Sequence, residues 1–236
     1  LTYSTYNCSM RQIKALVALI LFAPVFSIGV IASLFIAPGG VGNTVFTMMK
    51  VWGVAFPLLW TLKNNRRALR LPRYKHREVK AGLILGLVMF AVIILAYFLV
   101  GQQVIDTASL KSKAAEVGIN NPYLYIAGCC YWSFINSLIE ECTWRGFTVS
   151  QCKILLQPVA AVLIAAFLFT IHHSIALYGY TQNWLIVALG SFGVFLAGAI
   201  WAWCYDHYQS VIPGYISHIL ADIAIALIGY QLLFGF

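Results

Sequence analysis

Long runs of apolar residues, separated by short polar segments, dominate the chain. Ala15–Ile36 carries no charge over 22 residues. Comparable runs occupy Thr44–Leu62, Ala81–Val100, Tyr123 through the 140s, Pro158–His173, Trp184–Tyr205 and Ile212–Phe236. About 20 apolar residues make a helix long enough to cross the hydrocarbon core of a bilayer. The pattern predicts an all-α, polytopic transmembrane bundle with seven crossings; an eighth would return the C-terminus to the side of the N-terminus. The first run exceeds the apolar core of about 7–15 residues found in signal peptides, so it is expected to stay in the membrane. Between the third and fourth runs, Val104–Gly118 mixes apolar residues with Asp106, Lys111, Lys113 and Glu116, which predicts an interfacial helix or an ordered loop. No repeat or linker divides the chain, and residues 1–236 read as one membrane domain whose chemistry lies in 122–236.

Composition agrees. Hydrophobic residues make up 61% of the chain and charged ones 9%, against about 25% charged in soluble domains. The net charge of +8 does not indicate a nucleic-acid partner, because there is no soluble basic face to present to one. Eight of the 15 Lys and Arg lie between Lys63 and Lys80, in one loop between two spans. With the N-terminus inside, twelve basic residues fall on the cytoplasmic side, and only Lys111 and Lys113 on the other. That asymmetry predicts a cytoplasmic N-terminus, and the basic loop is expected to face anionic lipid headgroups. Lys50, alone within the second span, is expected to snorkel toward the interface. The six cysteines form no Cys-x-x-Cys pair and indicate neither a disulfide framework nor a zinc ribbon.

Acidic residues number only seven, and three of them, Glu140, Glu141 and Asp222, fall inside or against apolar runs. Each such charge costs roughly 2.5–3.5 kcal/mol on the mildest scales, so it marks a candidate site. Glu141 and Arg145 are four apart and share a helix face, which predicts an ion pair. Glu140 lies about 140° around the helix from Arg145 and has no such partner; Asn136, one turn earlier, is placed to hydrogen-bond it. A helical hairpin turning at Gln157-Pro158 sets Glu140 opposite His173, each about 22–25 Å from the turn. His218 and Asp222 share a face of the last helix, but His218 is only about 9 Å from its start. Tilt or a sunken helix start is needed to bring it level with Glu140. His172 is expected to be a packing or interfacial residue, and Asp206 with His207 a solvated loop pair. Cys142 has no base on its own face to make it a nucleophile.

Glu140-Glu141-Cys-Thr-Trp-Arg145 has the form EExxxR, Phe169-Thr-Ile-His-His173 the form FxxxH, and His218-Ile-Leu-Ala-Asp222 the form HxxxN/D. Together, in this order, they resemble the CPBP family of CAAX proteases and bacteriocin-processing enzymes, which includes the type II CAAX prenyl endopeptidases. The resemblance covers Glu140 to Asp222. It implies an intramembrane endopeptidase with its site in a cavity among the helices, acting on a membrane-associated or prenylated peptide. Carried over, Glu140 is the general base for a water and His173 assists it. Glu141 and Arg145 form the supporting pair, Phe169 is a wall of the cavity, and His218 with residue 222 stabilises the oxyanion. Asp222 departs from the prenyl proteases, which typically have Asn there. An ionised carboxylate cannot donate to an oxyanion, so three roles stay open: a protonated Asp222, an orienter of His218, or a metal ligand.

The preferred reading requires no cofactor. A zinc-dependent form of the same protease would use Glu140, His173 and His218 as ligands with water in the fourth position. The reading from a different class is a non-catalytic scaffold, transport or immunity-type protein in which these residues form a structural network.

Overall fold

The computed structural model describes residues 2–64 and 75–235, with side chains from residue 9 onward. Residues 65–74, most of the basic loop, lie outside that set, as does the expectation about its lipid contacts. Helices account for the regular structure, and no strand occurs among the described residues. Helices α1 (Thr2–Phe22) and α2 (Val25–Ile31) follow each other across a turn at Ala23-Pro24. Proline has no N–H for the helical ladder, but Ile28 N–H still bonds Pro24 O at 2.9 Å and carries the chain onward. Next come α3 (Gly40–Asn64) and α4 (His76–Ala96), the latter prolonged by further turns to Val104.

The mixed segment forms a short helix, α5 (Thr107–Glu116), whose first turn is capped by Asp106 through Ala108 N–H at 3.0 Å. It packs on the later helices α7 and α9. A long helical rod, α6, covers residues 122–155 and starts on the Asn121 side chain, which accepts from Tyr123 N–H at 2.8 Å. It is not uniformly wound. Wider π turns over Tyr131–Asn136 and Glu141–Val149 flank the α turn Ser137–Glu140. Such turns inside α-helices are frequent at functional sites. After α6, Leu156 and Gln157 are extended, as a residue before proline prefers, and Pro158 opens α7 (Pro158–Thr181). The hairpin therefore turns where the sequence predicts. Helices α8 (Trp184–Tyr208) and α9 (Ile212–Phe234) complete the bundle.

Six helices among the described residues are long and apolar enough to cross a membrane: Ser9–Ile36, Gly40–Asn64, His76–Val104, Pro158–Thr181, Trp184–Tyr208 and Ile212–Phe234. The chain is an integral membrane protein. The expected crossing in α6 is not among the six. Asn136, Glu140, Glu141 and Arg145 interrupt its apolar run, and all four are buried against other helices. A second correction concerns Asp206 and His207. They lie in the last turn of α8 rather than in a loop: Asp206 pairs with Lys153, and the His207 ring stacks on Trp203.

Aromatic residues fill the centre. Phe22, Phe26, Trp144, Phe147, Phe169 and Trp201 form one buried cluster drawn from five helices, with rings meeting edge to face, as between Phe22 and Trp144 at 5.1 Å. Around it, α4 lies along α9 through Gly82 and Gly86. Small residues four apart let two membrane helices approach closely. A Cβ at Gly82 would stand 2.8 Å from Ile216 Cβ and 3.0 Å from Pro213 O. Gly82→Ala is therefore expected to cost about 1–3 kcal/mol by overpacking, seen as a lower unfolding midpoint in detergent. Gly193→Ala, where a Cβ meets nothing within 4 Å, should leave the midpoint unchanged.

Candidate active site

Four helices bring the expensive residues together. Glu140 and Glu141 come from α6, His173 from α7, His218 and Asp222 from α9, and Lys50 from α3. Both glutamates are buried, at 3% and 0% exposure. Adjacent residues on a helix point in different directions, so the two carboxylates are served by different neighbours.

Glu141 faces α9. Its Oε1 accepts from His218 Nδ1 at 3.1 Å and lies 3.4 Å from Arg145 Nη1, the predicted i,i+4 pair. Its Oε2 abuts the Cα of Gly214, in the first turn of α9, where a side chain would collide with it. This contact settles the question of depth. Helix α9 starts beside the glutamates, so His218, one turn further on, stands level with Glu140. The guanidinium of Arg145 lies 4.3 Å over the Phe169 ring and 4.9 Å from that of Trp201. Cation–π contact between two rings supports a buried cation.

Glu140 faces inward. Its Oε1 accepts from Asn136 Nδ2 at 2.9 Å, as the spacing predicts, and lies 3.4 Å from Lys50 Nζ. Its Oε2 stands 3.9 Å from His218 Nε2, beyond direct hydrogen bonding. Lys50 corrects the sequence reading. It does not snorkel outward, because Asn136 Oδ1 at 2.7 Å, Glu140 and the faces of Phe26, Phe46 and Trp132 give its ammonium a better set of partners inside. The signal was present in the sequence: an ionisable residue within a span marks a site by default.

The histidines differ in their holding. His218 is fixed by Glu141 at Nδ1 and by Trp201, whose ring stacks on it at 4.2 Å and whose Nε1 donates to Ser217 Oγ at 2.7 Å. Since a carboxylate only accepts, His218 Nδ1 carries the proton and Nε2 faces Glu140 and Asp222. His173 Nδ1 lies 3.0 Å from Phe169 O. A carbonyl also only accepts, so the neutral His173 ring presents a bare Nε2. Both histidines lie within electrostatic reach of Glu140. Phe169 touches His173 at 4.5 Å between ring centres and borders His218 at 6.3 Å, so it forms the wall between them. His172 is not interfacial. It is buried between Trp144 and Phe26, with neither ring nitrogen hydrogen-bonded among the described residues.

Asp222 is held by Ser137 Oγ, which donates to Oδ2 at 2.7 Å, while Oδ1 lies 3.7 Å from His218 Nε2. Its side chain keeps 21% of its exposure against 4% for Glu140, which sets it at the open margin of the cluster. Packing beneath Arg145, between Trp144, Val149, Phe169 and Ala202, leaves no room for a water. A cleft of about 360 Å³ instead opens between α6 and α9, lined by Tyr125, Cys129, Ser133, Ile223 and Leu227. It begins one residue beyond Asp222 and one turn before Ser137. As arranged, no three His, Cys, Asp or Glu side chains among the described residues are grouped to hold a metal ion.

Residues 122–224 match the model of one protein family, type II CAAX prenyl endopeptidase Rce1-like. The matched segment runs from the start of α6 into α9 and contains all three motifs. No curated protein and no solved structure matches the chain.

The Glu141–Arg145 pair gives a stability test. Removing one partner of a buried ion pair leaves an uncompensated charge, at a cost of about 3–5 kcal/mol. Arg145→Met is therefore expected to lower the unfolding midpoint strongly in detergent, whereas Cys142→Ser, at an exposed position between the same residues, should not.

Proposed function

We propose that this member of the CPBP/CAAX protease family hydrolyses a peptide bond in a membrane-associated, prenylated peptide, with Glu140 as the base that activates water. The observation that carries this reading is the convergence of side chains from α7 and α9 on one buried carboxylate of α6. Each of the three motifs contributes to it.

Glu140 Oε2 takes a proton from the water, and the resulting hydroxide forms the new C–O bond at the scissile carbonyl carbon. A carboxylate partly removed from solvent is suited to that work. The bare Nε2 of His173 orients the same water. His218 keeps its Nδ1 on Glu141, so the proton it offers the oxyanion is on Nε2, and that proton stays on the ring throughout. A protonated Nε2 is a preorganised donor for the oxyanion, and such donors are worth about 10²–10³ in rate. Glu140 then returns its proton to the departing amine as the C–N bond breaks. Both oxygens of Asp222 face donors or a ring nitrogen, which supports the second of its three open roles: it orients His218. The cleft between α6 and α9 has the apolar lining that a lipid chain requires, and Ile223 in that lining follows Asp222 in the chain. The cytoplasmic N-terminus belongs to the same proposal, on the distribution of basic residues.

Purified protein assayed on prenylated CAAX-type and leader-type peptides tests this. Glu140→Ala should lower kcat by about 10²–10⁴-fold in protein that still folds, with the unfolding midpoint lowered because Lys50 loses its carboxylate partner. A chelator should have no effect; loss of activity on chelation, restored by zinc, would move the mechanism to the metal form. Full activity in Glu140→Ala would end the reading and favour the structural network. Asp222→Asn keeps an acceptor for Ser137 and a polar group beside His218 and should stay within about tenfold of wild type, whereas Asp222→Leu should fall about as far as loss of an oxyanion donor, 10²–10³-fold.

A further inference from the structure

Lys50 belongs to none of the three motifs and is the site residue that lies outside the segment carrying them. It lies in α3, on the far side of the chain from the motif-bearing segment, and an ammonium is among the costliest groups to place within a membrane-spanning helix. What offsets that cost is specific. Asn136 Oδ1 accepts from Nζ at 2.7 Å, Glu140 Oε1 lies at 3.4 Å, and the rings of Phe26, Phe46 and Trp132 stand 5.1–5.7 Å away.

The chemistry of these groups sets their orientation. An ammonium has three donors and no acceptor, so the Asn136 amide must turn its oxygen toward Lys50. The other end of the amide, Nδ2, is then fixed on Glu140 Oε1 at 2.9 Å. Two donors converge on the same carboxylate oxygen, and Oε2 faces the more distant His218 Nε2 at 3.9 Å. Without Lys50, the Asn136 amide is free to turn its oxygen toward Glu140, where it would repel rather than donate.

We propose that Lys50 is a positioning residue for Glu140: it fixes the Asn136 amide and one carboxylate oxygen, so that the other is offered to the water. This inference rests on Glu140 acting as the base. Its signature is a loss confined to the chemical step, since Lys50 acts through another residue and does not bind the peptide.

The test uses the purified full chain and a prenylated CAAX-type peptide. Lys50→Met is expected to lower kcat at least tenfold with KM within twofold of wild type, and Lys50→Arg, which keeps a cation, should recover most of that loss. Combining Lys50→Met with Asn136→Ala should cost little more than the worse single change, because both act on one oxygen. A wild-type kcat in folded Lys50→Met overturns the proposal, as does a loss that falls on KM alone. If Lys50→Met does not fold in detergent, Lys50→Gln is judged by the same split. An inactive Glu140→Ala beside a fully active Lys50→Met removes this inference alone; a fully active Glu140→Ala removes the proposed function as well.

Discussion

A carboxylate placed among apolar helices must find a cation or hydrogen-bond donors there, because no water is at hand to stabilise it. This chain places two such groups next to each other on α6, and the positions of its neighbours follow from satisfying both. Glu141 draws Arg145 from its own helix and His218 from α9, and Glu140 draws Asn136 from its own helix and Lys50 from α3. The two glutamates thus tie together helices that hydrophobic packing alone would leave free to slide or rotate.

The aromatic cluster has a similar double use. Phe169 and Trp201 belong to the packed centre, but each also presents a ring face to a charged or titratable group. Arg145 lies over both rings, and His218 stacks on Trp201. Fixing the imidazole plane and sheltering the guanidinium are achieved by the same side chains that fill the core. The separation between structure and chemistry is correspondingly small. Arg145 belongs to the packed centre and is also the i,i+4 partner of Glu141.

Six spans, the hairpin turn at Gln157-Pro158 and the Glu141–Arg145 pair were legible in the sequence, since each depends on local pattern: apolar length, a proline, or a spacing of four. The Asn136–Glu140 bond was legible for the same reason. Contacts between helices were not. Nothing local tells that Lys50 turns inward, because the choice between interface and interior depends on what α6 offers across the bundle. Ser137 was overlooked because a serine in an apolar run carries no signal until Asp222 is seen opposite it. The crossing expected in α6 rested on its apolar stretch, but the polar residues gathered there take it out of the class of helices recognisable by apolarity.

At Gly214 the α9 backbone meets Glu141 Oε2 where any Cβ would collide with that oxygen, so the contact acts as an axial stop. Helix α9 can move no closer to α6, and its phase along α6 is set by a missing methyl group. A bundle whose charged groups meet from separate helices needs some such index mark, or the groups would align only on average. Here the alignment is written into the backbone, at a position where no side chain intervenes.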